Sequence, residues 1–203
     1  SAFVYSGQDG SVLYHWNGDT GDDSFGHSVS GVGDVNQDGF DDVIVGAISA
    51  TVNGFTYAGA AYLYSGADGT RLHQWNGYQS YDSFASSVSG AGDVDGDGIP
   101  DVIIGAEDAE SVAGVYMSGE AWVYSGADYS AIHYWGGEVT SDKFGHSVSG
   151  AGDVNNDGFA DLVVGAFQAT PAVNAKAGTC YVYSGNDGTL LYQFNGDKAY
   201  GSL

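Results

Sequence analysis

The chain has 203 residues, enough for one large domain or two small ones, and its 43% hydrophobic and 14% aromatic content can fill a core and argues against disorder. Its 34 glycines come with only 2 prolines and no G-X-Y period, which excludes collagen and Pro-rich low complexity and leaves glycine as turn chemistry. Against 26 Asp and Glu stand only Arg71, Lys143, Lys176 and Lys198, a formal net charge of −22. Such a field repels phosphates and anionic lipids, so neither nucleic acid nor direct membrane insertion is expected, and calcium or basic ligands are the natural counter-charges. With Cys180 as the single cysteine, no intrachain disulfide can form. Ser1 opens into SAFVYSG without a basic or apolar leader, and no long apolar run follows. The expectation is a soluble chain that is mature, trimmed or excised.

In chain order, the first recognisable unit is YSGQD at 5–9, which returns as YSGAD at 64–68, YSGAD at 124–128 and YSGND at 183–187. A second block starts at Ser24 as SFGHSVSGVGDVNQDGFDDVIVGA and returns in register from Ser83 and from Lys143. The spacings are 59 and 60 residues, a period suited to propeller blades rather than to helical or leucine-rich repeats. Within the first full unit the short apolar runs read as four strands: FGHSVSGVG, DVIVG, AGAAYLYS and RLHQWNG, here termed A to D. No segment sustains a helical period. The predicted class is all-β, with blades of four antiparallel strands. A β-sandwich is the rival architecture, but sandwiches do not repeat at near-identity.

Residues 1–23 align with 179–201 and supply only a C-D half blade. Full blades are then expected at 24–82, 83–142 and 143–203, the last carrying the start of the next connection. Three and a half blades do not close a ring. The 203 residues are therefore expected to be a piece of a larger propeller or one subunit of an assembly.

Between strands A and B each unit carries an acidic loop: DVNQDGFDD from Asp34, DVDGDGIPD from Asp93 and DVNNDGFAD from Asp153. Oxygens at positions 1, 3, 5 and 9, with a backbone carbonyl at 7, can surround a hard cation when the chain curls, and glycine at position 6 permits the curl. This spacing assigns Asp34, Asn36, Asp38, Phe40 and Asp42 to one ion, Asp93, Asp95, Asp97, Ile99 and Asp101 to a second, and Asp153, Asn155, Asp157, Phe159 and Asp161 to a third. Phe40, Ile99 and Phe159 would give only their carbonyls and pack their side chains inward. The loops lack the length and terminal Glu of an EF-hand, and without His or Cys they disfavour zinc and copper. Three Ca²⁺ per chain are expected. Asx-rich turns without metal are the alternative reading.

The residues Phe25-Gly26, the Asp34 to Asp42 loop and Gly46-Ala47, with their counterparts in the later units, resemble the FG-GAP repeat. That resemblance implies the seven-bladed propeller of integrin α subunits and of related microbial proteins, some of them lectins. Ala85 in place of the FG glycine, and Ile48, Glu107 and Phe167 in place of the GAP proline, point to a divergent, microbial member. The family further implies an extracellular, secreted or cell-surface scaffold, with calcium on one face and ligands on the opposite face built by B-C and D-A connections. The long, dissimilar B-C segments from Ile48, Glu107 and Phe167 suit recognition, although unconstrained drift gives the same picture.

Trp16, Trp75, Trp135 and Phe194 occupy one position, and Tyr14, His73, His133 and Tyr192 another two places earlier; interblade core is the expected role, sugar stacking the rival. His27 and His146 share a strand A position and are read as polar channel residues rather than metal ligands. Cys180 aligns with Ala2, Ala61 and Ala121 and is expected to be a small buried residue; Glu107, Asp108 and Glu110 read as a solvated acidic loop. No catalytic motif stands out, so the chain is expected not to be an enzyme. The resulting expectation is a calcium-stabilised propeller module that binds a protein or glycan partner and packs against further blades. A lectin with interblade sugar pockets, an accessory domain of a secreted enzyme and a self-assembling ring are the alternatives.

Overall fold

A computed structural model describes residues 1–111, 113–170 and 176–197, and within them every regular element is a strand. The first pair, β1 (Ala2–Tyr5) and β2 (Val12–Trp16), forms a two-stranded antiparallel sheet. Three four-stranded antiparallel sheets follow, each in simple chain order. They are β3 (Phe25–Gly33), β4 (Asp42–Ala47), β5 (Ala60–Tyr64) and β6 (Arg71–Asn76); β7 (Phe84–Gly92), β8 (Asp101–Ala106), β9 (Glu120–Tyr124) and β10 (Ala131–Gly136); and β11 (Phe144–Gly152), β12 (Asp161–Ala166), β13 (Thr179–Tyr183) and β14 (Leu190–Asn195). These are propeller blades, and strands A to D of the sequence fall on them in order. The registers repeat as well: Phe25 faces Ala47, Phe84 faces Ala106 and Phe144 faces Ala166, each pairing followed by a bulge.

Blades meet face to face. One apolar cluster joins β1 and β2 to the first full blade around Phe25, Tyr62 and Tyr64; a second joins the first and second blades around Ile44, Leu63, Phe84 and Ile104; a third joins the second and third around Ile103, Phe144, Leu162 and Val164. The A strands lie side by side, close enough that a Cβ on Gly90 would stand 3.1 Å from the Gly31 carbonyl, and one on Gly150 2.9 Å from that of Gly90. Where one blade's C strand begins, Gly59 and Gly119 run against the next blade's Phe84 and Phe144. An added Cβ at either would lie 2.0 Å from a phenylalanine carbonyl oxygen, and both glycines have positive φ, so no other residue fits without moving the seam.

The tryptophan ladder is part of these seams. Trp16, Trp75 and Trp135 donate their indole N–H to the carbonyls of Gly69, Tyr129 and Gly188 in the next blade's C-D turn. Trp75 is buried, whereas Phe194, whose face meets no further blade among the described residues, is 60% exposed. The same geometry corrects two expectations. Cys180 is half-buried although Ala61 and Ala121 are fully buried, because its side of the third blade is uncovered. Phe40 does not pack inward but is 58% exposed. Phe159 leans on Gly96 of the preceding blade's loop, and half-buried Ile99 packs on the cluster between the first two blades; the half blade before Phe40 has no such loop to offer.

Candidate functional site

The three acidic loops occupy the A-B turns, and their terminal aspartates are the buried ends. Asp42, Asp101 and Asp161 are fully buried. One oxygen of each accepts the N–H of loop position 2, from Val35 at 2.9 Å, Val94 at 2.7 Å and Val154 at 2.8 Å. The other accepts from Gly66, Gly126 and Gly185 of the Tyr-Ser-Gly motif at 3.0, 2.9 and 3.1 Å. The first aspartate of each loop turns inward onto backbone N–H groups at positions 4 to 6, as in Asp34 to Gly39 at 2.8 Å, Asp93 to Gly98 at 3.0 Å and Asp153 to Gly158 at 3.0 Å. These bonds hold the curl and direct carboxylate oxygens toward its centre.

The loops differ at position 3. Asn36 donates its amide N–H to Asp38 at 2.8 Å and Asn155 donates to Asp157 at 2.9 Å, so a side-chain dipole faces the acid there. That amide bond is the main reason the Asp38 carboxyl sits below its ordinary range. Asp95 has no proton to give, and in the second loop one oxygen each from Asp93, Asp95 and Asp101 converges within 4.8 Å. Burial, reinforced by the neighbouring acids, raises the Asp95 carboxyl and pushes Asp101 up to about 6, while burial also raises Asp42. Converging hard oxygens whose charge is penalised by burial and mutual repulsion fit a divalent oxygen-seeking cation. Asp97 joins the second loop by accepting the Ile99 N–H at 2.8 Å and by donating its own backbone N–H to Asp95 at 3.1 Å.

The opposite connections build a cleft of about 610 Å³ between the first and second full blades. Tyr57 comes from one B-C loop and Tyr116 from the next, with Tyr81 from the D-A connection between them, and all three are substantially exposed. Tyr57 and Tyr81 rings stand 5.8 Å apart. Beneath them lie Asp82, Asp108 and Glu110. Asp82 is buried and accepts the Gln79 N–H at 3.1 Å; burial, then the charge of Glu120, pushes its carboxyl up to about 7. Tyr57 and Met117 both have left-handed φ, near 53° and 50°, yet Lys176 at the same place in the third blade does too, so this strain belongs to the scaffold.

The acidic B-C group is not simply solvated. Asp108 pairs with Lys143 and accepts the Ser83 hydroxyl at 2.7 Å, and Glu107 meets His146 Nδ1 at 2.5 Å, joining the second blade's B-C loop to the third blade's first strand. Glu110 alone is exposed. His27 and His146 are both exposed on the first strands. In the third blade, positions 171–175 of the B-C segment from Phe167 lie outside the described residues, as do Lys198 and the tail through Leu203.

Sequence reasoning missed Glu120. It is fully buried and accepts hydrogen bonds from Tyr78, from Trp122 at 3.1 Å and from Tyr134 at 2.9 Å. Its counterparts are Ala60 and Thr179, so a glutamate at a small-residue position was the available signal.

The chain matches the FG-GAP repeat family over residues 25–64, 84–124 and 144–183. It is 29% identical over 184 residues to integrin alpha-V of Gallus gallus, covering 86% of this chain and 18% of the relative. It is 32% identical over 175 residues to integrin alpha-5 of Xenopus laevis, covering 81% and 17%. The chain thus spans less than a fifth of these relatives. Among solved structures, the rhamnogalacturonan lyase YesW matches with a TM-score of 0.50 at 18% identity, covering 98% of this chain and 37% of the lyase, a likeness of fold alone. Among the described residues no helix is long and apolar enough to cross a membrane.

Proposed function

Because the chain belongs to the FG-GAP repeat family, we propose that it is an extracellular, calcium-stabilised recognition module that binds a protein partner rather than turning over a substrate. The observation that carries the reading is the split between two ends of one scaffold. Acid loops of repeated sequence occupy every A-B turn, while the dissimilar B-C and D-A segments build a tyrosine-lined acidic cleft. The integrin alpha relatives support an adhesion setting.

The second loop would hold Ca²⁺ through Asp93, Asp95 and Asp101, with Asp97 and the Ile99 carbonyl completing the set; the first and third would use Asp34, Asn36, Asp38, Asp42 and the Phe40 carbonyl, and Asp153, Asn155, Asp157, Asp161 and the Phe159 carbonyl. Bound calcium supplies charge neutralisation, and binding only the folded chain it stabilises that chain by mass action. The residues' own part is to fix the A-B turn against the Tyr-Ser-Gly turn of the same blade. This anchors the two turns within each blade without reaching the cleft.

In the cleft, Tyr57, Tyr81 and Tyr116 offer amphipathic contact area, and exposed Glu110 sets a preference for basic segments. Selection of random peptides on the calcium-loaded chain should enrich Lys- and Arg-containing aromatic sequences whose binding Tyr116→Ala and Glu110→Gln both weaken. Peptides indifferent to both variants would contradict the assignment. The exposed tyrosine pair favours a second reading, a glycan, which saturable binding of a neutral oligosaccharide to the same face would support.

A further inference from the structure

The blade seams can be compared with one another, since each uses equivalent residues. In the seam between the half blade and the first full blade, Trp16 stacks on Tyr64 at 4.5 Å between ring centres. Asp19, from the D-A connection, accepts the Tyr62 hydroxyl at 3.3 Å and pairs with Arg71 at 3.3 Å. The Arg71 guanidinium lies 5.5 Å from the centre of the Tyr62 ring. A cation thus sits between an acid and an aromatic face, supplied by the chain itself.

In the seam between the second and third full blades the same frame recurs. Trp135 stacks on Tyr183 at 4.6 Å, Glu138 stands where Asp19 does, and Tyr181 stands where Tyr62 does. The strand registers fix the remaining equivalence: Tyr64 pairs with Arg71 and Tyr62 with Gln74, whereas Tyr183 pairs with Leu190 and Tyr181 with Gln193. Leu190 therefore replaces the arginine. A cavity of about 470 Å³ opens there, lined by Trp135, Glu138, Asp142, Tyr181, Tyr183 and Gln193, with Leu190 at its edge. Its described lining contains no Lys or Arg; Lys143 is paired with Asp108 and Lys176 with Gln168. Asp142 is buried, and burial followed by the Glu138 charge holds its carboxyl above the ordinary range, a repulsion that a cation would relieve. The middle seam has no such vacancy of charge. Tyr78 takes the place of Asp19 and Glu138, Glu120 is enclosed by three donors, and Asp82 accepts the Gln79 N–H.

We propose that the seam between the second and third blades is a binding site for a guanidinium group, which docks on Glu138 and Tyr181 as Arg71 does on Asp19 and Tyr62. This goes beyond the loop-face cleft and does not depend on it. Two-dimensional NMR of the full chain at fixed, saturating calcium can follow the Trp135 indole N–H and Gln193 amide while N-acetyl-arginine amide is added. N-acetyl-citrulline amide, of like shape without the charge, is the control. Saturable shifts at these two groups with the arginine probe, at least about tenfold weaker binding of the citrulline probe, and a similar loss in Glu138→Gln are expected, since charge-assisted bonds have that strength. Leu190→Arg should fill the site from within and abolish binding, while Glu110→Gln in the other cleft should leave it unchanged. Agmatine binding as tightly as the amide would indicate a small free guanidine, and tighter binding of an arginine-containing heptapeptide would indicate a protein side chain. Equal binding of both acetylated probes, or undiminished binding in Leu190→Arg, would overturn the proposal.

Discussion

The backbone N–H of Gly126 donates to Asp101 Oδ1 at 2.9 Å, and this bond joins the two repeated motifs of the chain, the Tyr-Ser-Gly turn and the acidic loop. The same carboxylate holds the Val94 N–H at 2.7 Å with its other oxygen. One buried aspartate therefore ties the A-B turn to the C-D turn, with Gly66 to Asp42 and Gly185 to Asp161 repeating the tie.

A Cβ on Gly126 would lie 2.1 Å from the Pro100 carbonyl oxygen, so Gly126→Ala must push the two turns apart and lengthen the bond to Asp101. Overpacking and a weakened buried hydrogen bond together give an expected loss of roughly 2–4 kcal/mol. Urea unfolding monitored by circular dichroism measures it, and a change under about 0.5 kcal/mol, the usual scale of surface substitutions, would contradict the tie.

The seam tryptophans give a contrast within one repeat position. Trp75 is 6% exposed and bonded to the Tyr129 carbonyl, so Trp75→Ala should cost about 3–5 kcal/mol as a buried aromatic truncation. Phe194→Ala, at the uncovered face of this chain, should cost under about 1 kcal/mol. Thermal unfolding of both variants checks the contrast. A Trp75→Ala variant that keeps its stability but loses affinity for a sugar would reassign the ladder to glycan stacking.

Most of this fold was legible in the sequence because a 60-residue period fixes strand order, turn placement and loop chemistry together. The four strands and the loop positions of Asp93, Asp95 and Asp101 followed from that period. What it could not carry is a residue's dependence on its neighbour. Phe40 and Phe159 occupy one loop position and differ in burial only because different structures precede them. Glu107 and Asp108 look solvated in a lone loop, and their pairing with His146 and Lys143 appears only when adjacent blades pack. Glu120 is paired by groups from two blades, so its role too lies between repeats.

Buried Asp82 gives stability a pH dependence. Its folded-state carboxyl is raised to about 7, first by burial and then by Glu120, well above the ordinary value near 4 expected once the chain unfolds. The folded state therefore holds this proton more tightly than the unfolded state. The associated stability is full below about pH 4 and is lost as pH rises through about 7. Asp82→Asn should be near neutral at about pH 4 and stabilising by roughly 1–3 kcal/mol at pH 8. Denaturation midpoints of both proteins across that range test the sign, and a variant equally destabilised at both pH values would refute it.

Calcium loading of the acidic loops is tested most directly by a native mass spectrum of the 203-residue chain in calcium-containing volatile buffer, with thermal unfolding recorded alongside. Three Ca²⁺ per chain are predicted, with one lost in Asp95→Ala, and each site at a hundredfold excess over its Kd should add about 2.7 kcal/mol of stability that a chelator removes. A chain that takes up no calcium, and whose midpoint a chelator leaves unmoved, would contradict the account.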